Sequence, residues 1–203
     1  MPSPFYLFVG AASWPVLRFA YRLRSTGAEH VPPEGGCVLA ANHNSNFDPW
    51  PLGIPLFPRR YLRFMAKSEL FNPVLKPFVQ AGGAFPVRRG QADAEAIERA
   101  VELCRAGEIV VMFPEGTRRK KGLNKRYEAR PRSGAARIAL EAGVPLVPAA
   151  IAGTDRLARL SRLRVAYGPP VGLDDLRDEP LREAAQIATD RLMAAIGELE
   201  ATL

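Results

Sequence analysis

The chain has 203 residues and a mass of 22.2 kDa, with 47% hydrophobic and 24% charged residues. That length suits one domain able to bury a core unaided, and the composition excludes disorder, collagen and coiled coil as whole-chain readings. Lys+Arg 28 against Asp+Glu 21 gives a formal net charge of +7, which favours anionic partners. Cys37 and Cys104 are too few for a disulfide framework, and His30 and His43 too few for a histidine-rich metal site.

The N-terminal run Pro4–Leu17 carries no charge and is followed by Arg18, Arg22 and Arg24. A secretory signal would place positive charge before the apolar run. Arg18 also ends the run short of the roughly 20 residues that a spanning helix needs. Residues 1–24 are therefore predicted to form an amphipathic helix in the membrane interface, with its arginines toward anionic headgroups. An ordinary amphipathic first helix packed on the core is the plainer alternative, and Pro15 kinks either version.

Residues 25–203 read as one further domain without repeats or low-complexity linkers. Buried strands are predicted at Cys37–Ala41, Tyr61–Ala66, Ala84–Val87, Ile109–Phe113 and Leu146–Ile151, with a further strand at Arg162–Tyr167. Helical patterns cover Ser68–Val79, Ala92–Cys104, Ser133–Glu141 and a closing Glu179–Leu199. Such alternation implies an α/β fold: a single domain with a mixed, largely parallel β-sheet flanked by helices.

No GxSxG, HExxH, Walker A or GxGxxG motif is present, which removes support for the usual α/β serine hydrolase, zinc protease and nucleotide-binding classes. Directly after the first buried strand stands Asn42-His43-Asn44-Ser45-Asn46-Phe47-Asp48-Pro49. Asp48 suits a helix N-cap and Pro49 the first helical position. His43 would sit at the carboxyl end of a strand, where open α/β sheets bind ligands. An aspartate five residues on can hold one ring nitrogen and leave the other free to take a proton. By itself this spacing is weak, because a turn histidine beside an N-cap aspartate gives the same pattern. A second motif changes the balance. The strand Ile109–Phe113 is ended by Pro114, and Glu115-Gly116-Thr117-Arg118 follows. Gly116 allows close backbone approach to a ligand, and Arg118 offers a planar fork for phosphate.

Together these residues resemble the glycerolipid acyltransferases, the family of 1-acylglycerol-3-phosphate acyltransferases. Asn42, His43 and Asp48 meet the family's NHx4D block, and Phe113 through Arg118 meet FPEGTR in full. Gly83-Ala84-Phe85-Pro86-Val87-Arg88 matches the short strand closed by an arginine, and Val144-Pro145-Leu146-Val147-Pro148 the VPxxP strand. The four blocks come in the family's order and span about Gly35 to Ile151. One departure is Arg132-Ser133-Gly134, where the family commonly has a lysine two residues before a glycine; Arg and Lys bind phosphate differently.

The resemblance implies a glycerol-3-phosphate acyltransferase-like fold with an N-terminal membrane-associated helix, and acyl transfer from a thioester to a lysophospholipid hydroxyl. His43 and Asp48 are the expected catalytic pair. Arg88 and Arg118 are expected to bind phosphate, with Lys67 a weaker candidate. Glu115, Gly116 and Thr117 complete the expected substrate-binding set, Glu115 through its family link to glycerol phosphate; a structural pairing of Glu115 with Arg118, and a plain surface role for Arg88, are the alternatives. No cofactor or metal is expected, since a thioester is already activated; acyl-CoA or acyl carrier protein is the donor. His43→Ala is expected to abolish transfer, and Asp48→Asn to cost several orders of magnitude.

The stretch Glu115–Arg137 has nine Lys and Arg against Glu115 and Glu128, a net +7. It reads as a solvated loop or as a patch for anionic lipid, coenzyme A phosphates or an acidic carrier protein. Nucleic acid is not an expected partner, because no recognition motif accompanies the charge. The expected location is the cytoplasmic face of the membrane, with peripheral or monotopic attachment. Glycerol 3-phosphate or another lysolipid as acceptor, water as acceptor, and a non-catalytic basic membrane-surface protein are the competing readings.

Overall fold

The computed structural model describes residues 3–74, 76–87, 94–116 and 131–203, and the side chains of all of these except Lys67 and Leu70. Helix α1 spans Pro4–Pro15. Ser3 caps it, its Oγ accepting from Tyr6 N at 3.0 Å and donating to Ala81 O at 2.8 Å. Pro15 has no N–H to continue the α ladder, and Val16–Ala20 follow as one π-helical turn. Gly10, Ser13 and Leu17 face the protein and are buried, while Phe8 and Phe19 stay 70% and 71% exposed. The first helix thus packs on the core with one face and presents aromatic side chains on the other.

Among the described residues the sheet has seven strands: β1 (Arg24–Thr26), β2 (Cys37–Ala41), β3 (Leu62–Lys67), β4 (Ala84–Val87), β5 (Ile109–Met112), β6 (Leu146–Ala152) and β7 (Arg164–Tyr167). Their spatial order is β1-β7-β6-β2-β5-β3-β4, and every pairing except antiparallel β6–β7 is parallel. The expected largely parallel, mixed α/β sheet is present. The helices are α2 (Pro49–Gly53), α3 (Lys76–Ala81), α4 (Ala94–Arg105), α5 (Gly134–Ala142) and α6 (Leu181–Ala201). Strand side chains alternate between two cores. Val38, Ala40 and Val110 pack with α4, α5 and α6; Leu39, Ala41 and Val111 pack with Leu17, Leu52 and Ile54 on the opposite face.

Three local expectations are corrected. Ser68–Val79 is not one helix: Ser68–Phe71 form a 3-10 turn, and α3 starts only at Lys76. Pro73 denies the chain a backbone donor and keeps Asn72 out of helical geometry. Strand β1, whose three residues are all exposed, carries no apolar alternation to announce it, and Arg24, counted above with the N-terminal segment, opens it. Asp48 precedes α2 and Pro49 opens it, but the Asp48 side chain makes no cap bond to the helix. Its carboxylate turns back into the loop instead.

Candidate active site

Parallel pairing brings the carboxyl ends of β2, β3, β4, β5 and β6 to one edge of the sheet, so the residues that follow each strand converge there. Asn42 continues β2 with a side chain in place of backbone: its Oδ1 accepts from Ile151 N at 2.8 Å, and its Nδ2 donates to Ile151 O at 3.0 Å and Glu200 Oε1 at 2.8 Å. Asn44 Nδ2 donates to the same Ile151 carbonyl at 2.9 Å. The loop carrying His43 is thereby anchored to β6 and to the end of α6.

His43 Nδ1 lies 2.8 Å from Asp48 Oδ2. A carboxylate only accepts, so Nδ1 bears the proton and Nε2 keeps its lone pair. Asp48 is 0% exposed, and four donors hold it. Besides His43, Oδ2 receives Asn44 N at 2.7 Å and Ser45 N at 2.9 Å, while Oδ1 receives the Thr154 hydroxyl at 2.5 Å. These four hydrogen bonds fix the orientation of the buried carboxylate. Phe113 stacks on the imidazole with centroids 4.2 Å apart and planes 19° from parallel, which fixes the ring's tilt.

The turn after β5 is closed by Gly116 N donating to Phe113 O at 2.9 Å. Gly116 has φ +66, and a Cβ there would lie 2.8 Å from Arg132 Nε. Arg132 N also donates to Pro114 O at 2.8 Å, so the chain returns to this turn when it re-enters the described region. Glu115 is buried beside it. The expected site residues therefore divide as follows. His43, Asp48, Glu115 and Gly116 stand at one edge of the sheet. Lys67 closes β3 at the same edge, its side chain outside the description. Arg88, Thr117 and Arg118 lie outside the described residues.

One participant escaped the sequence reading. Thr154 is separated from Asp48 by 106 positions and follows Gly153, whose φ of +93 and close approach to Arg162 O turn the chain sharply after β6. Arg132 was legible only as a departure from the family's lysine. Next to Asp48, the residues Asn46, Phe47, Pro49 and Trp50 join Phe5, Tyr6, Gly10, Phe57 and Phe64 in lining an apolar cavity of about 210 Å³. Among the described residues no His, Cys, Asp and Glu side chains cluster as a metal site.

This geometry sets an imidazole held by a buried carboxylate beside an apolar cavity. A family model described as Acyltransferase matches residues 22–152. The 1-acyl-sn-glycerol-3-phosphate acyltransferase of Bacillus subtilis (strain 168) is 31% identical over 199 residues, covering 96% of each chain. The protein of the same name from Streptococcus pneumoniae is 29% identical over 145 residues, 69% of this chain and 52% of that one. The crystal structure of the 1-acyl-sn-glycerophosphate acyltransferase PlsC from Thermotoga maritima superposes with a TM-score of 0.66 at 24% identity, covering 96% of this chain and 78% of that one, a likeness of fold. The fold and the extent of these matches lead to one conclusion: the chain belongs to the acyltransferase family.

Proposed function

We propose that the protein transfers a fatty acyl group from an acyl thioester to the free hydroxyl of 1-acylglycerol 3-phosphate, giving phosphatidate. The observation that carries this reading is the buried His43–Asp48 pair, with a proton-accepting Nε2, beside an apolar cavity suited to an acyl chain. The B. subtilis relative, similar over nearly the whole of both chains, bears that activity in its name.

The chemistry follows from the residues. His43 Nε2 takes the hydroxyl proton as the oxygen attacks the thioester carbonyl, and Asp48 stabilises the imidazolium that forms. The tetrahedral intermediate collapses by breaking the carbon–sulfur bond. The imidazolium returns the proton to the departing thiolate, leaving His43 neutral for the next turnover. General-base assistance of this kind is worth roughly 10²–10⁴-fold. Arg118 and Arg88 bind the acceptor's phosphate in this scheme, with Glu115 supporting the glycerol and Lys67, Gly116 and Thr117 completing the substrate-binding set. The donor is acyl-CoA or acyl carrier protein, and no cofactor takes part.

Attachment to the membrane is peripheral, at the cytoplasmic face where thioester donors are made. No helix among the described residues is long and apolar enough to cross a membrane, and α1 exposes Phe8 and Trp14 beyond its buried stripe. The N-terminal helical segment, Pro4–Ala20, acts as an interfacial anchor for the catalytic remainder, whose first strand opens at Arg24.

Purified protein assayed with lysophosphatidate, glycerol 3-phosphate and a neutral lysolipid tests the acceptor. Lysophosphatidate is expected to give the highest kcat/KM, and Arg118→Ala to raise KM for it more than for the neutral lysolipid. Equal use of all three acceptors would defeat the assignment.

A further inference from the structure

A second basic surface lies outside every motif and outside the Glu115–Arg137 stretch. One segment contributes Arg18, Arg22 and Arg24; another, far away in sequence, contributes Arg156, Arg159, Arg162 and Arg164; all are exposed. The two segments are joined by backbone bonds, Leu163 N to Tyr21 O at 3.1 Å and Arg24 N to Leu163 O at 3.1 Å. Arg24 and Arg164 stand opposite each other in the β1–β7 pair. Asp155 is the sole acidic residue of residues 18–24 and 155–164, which together carry +6. With +7 in Glu115–Arg137 and +6 here, the rest of the chain is left at −6 against a whole-chain +7.

Topology places this charge beside the active site. β6 runs parallel to β2, so its end at Ala152 shares the edge of His43 and leads into the arginine turn. β7 is antiparallel to β6 and therefore begins at that edge with Arg164, and β1, parallel to β7, begins there with Arg24. At the opposite edge Arg60 donates to Gly35 O and Gly107 O, Arg63 pairs with Glu108 at 2.7 Å, and Arg105 donates to Glu141 O; within the arginine surface Arg164 donates to Leu203 O and Arg156 lies 3.7 Å from Asp155. Like charges facing each other across a strand pair repel, so the arginine surface gains from a negative cover.

Apolar groups stand among the arginines. Leu160 is 54% exposed, and like Arg22 it has φ 49, the left-handed region that side-chain-bearing residues rarely adopt. Its turn is pinned from within, the Ser161 hydroxyl lying 2.7 Å from Gly153 O and 3.0 Å from Arg156 O. Phe19 follows Arg18 and is 71% exposed, touching Trp14 edge-on with ring centroids 6.2 Å apart. Arginines around exposed apolar tips match phosphates above acyl chains. A purely acidic protein surface would satisfy the arginines and leave Leu160 and Phe19 uncovered.

We propose that this surface docks the active-site edge on an anionic bilayer, Leu160 and Phe19 entering the headgroup layer and the arginines pairing with lipid phosphates. The proposal rests on the membrane-lipid acceptor argued above and adds a docking element, the turn 155–164, that is independent of residues 1–17 and 117–130.

The test is flotation of the full chain on vesicles of phosphatidylglycerol and phosphatidylcholine against phosphatidylcholine alone, at low and high salt. A basic residue near such a surface contributes about fivefold in binding. The triple variant Arg156→Gln, Arg159→Gln, Arg162→Gln is thus expected to bind the anionic vesicles about 100-fold more weakly, with a shallower salt dependence. Leu160→Ser should weaken binding severalfold at every salt concentration, both variants keeping the wild-type circular dichroism and unfolding midpoint. Wild-type-like vesicle binding by the triple variant would overturn the proposal. So would loss of binding to an acidic carrier protein with vesicle binding intact, which would assign the surface to a protein. Turnover of the unaltered protein with a short-chain, water-dispersed lysophosphatidate is read separately: its absence beside normal vesicle binding sinks the acceptor reading and leaves the docking surface standing.

Discussion

Replacing Asp48 by asparagine keeps the shape of the side chain and removes its charge, and the structure sets how large the effect should be. In hydrolase triads the same replacement costs about 10⁴ in kcat, because the carboxamide presents the wrong group to histidine and inverts its tautomer. Here three N–H donors, from His43, Asn44 and Ser45, aim at one oxygen, while a single hydroxyl, from Thr154, reaches the other. An N–H cannot accept, whereas a hydroxyl can turn round and accept. The carboxamide oxygen is therefore expected toward His43 and its NH2 toward Thr154. The tautomer survives, and what is lost is the negative charge that stabilises the imidazolium. Asp48→Asn should then lower kcat about 10²-fold, close to 2.7 kcal/mol of barrier at 1.36 kcal/mol per tenfold, below the several orders of magnitude expected from sequence. Asp48→Ala leaves all four donors without their acceptor and should lose more activity and stability together. Steady-state kinetics with circular dichroism and urea unfolding separate the two. Near-normal turnover of a folded Asp48→Asn protein would refute the charge role, and a 10⁴-fold loss would show that the backbone donors do not govern the carboxamide.

Thr154→Val removes the donor to Asp48 Oδ1 and should cost about 1–3 kcal/mol of stability together with a fall in kcat, whereas Thr154→Ser should restore both; urea titrations and kcat values of the two variants check it, and equal behaviour would refute the hydroxyl's role. Stability should also decline at alkaline pH. Burial pushes the Tyr167 phenol up, and pushes the Cys37 and Cys104 thiols up to about 12. The fold therefore keeps protons that the unfolded chain releases nearer pH 9–10, so this contribution is intact below those values and is lost as pH rises through them. The unfolding midpoint should fall between about pH 9 and pH 12, and less steeply in Tyr167→Phe; a flat profile would contradict the assignment.

Local patterns were legible in the sequence and long-range ones were not. His43 and Asp48 lie five positions apart in one turn, so spacing alone could propose their contact, and the apolar runs of β2, β5 and β6 announced a buried sheet. Asn42 reaches Ile151 and Glu200 across 109 and 158 positions, and no local signal encodes such a bond. The sequence offers the Asp48 carboxylate both as a helix cap, since Asp-Pro is a common helix start, and as the partner of His43; three N–H donors on the loop side decide for the second. β1 is held by pairing with β7 rather than by apolar alternation, so it too is a product of the tertiary fold. The first helix answers to both readings of its sequence, since Leu17 is buried in the core while Phe8 remains exposed.

The central claim is that the acyl group goes to a lipid hydroxyl through His43. The most direct measurement follows thiol release and acylated product together, with an acyl thioester and lysophosphatidate, for the unaltered protein and a folded His43→Ala variant. One phosphatidate per thiol released, with both abolished in His43→Ala, is the expected result. Thiol release without acylated lipid would make the protein a hydrolase, and undiminished transfer by His43→Ala would contradict the mechanism.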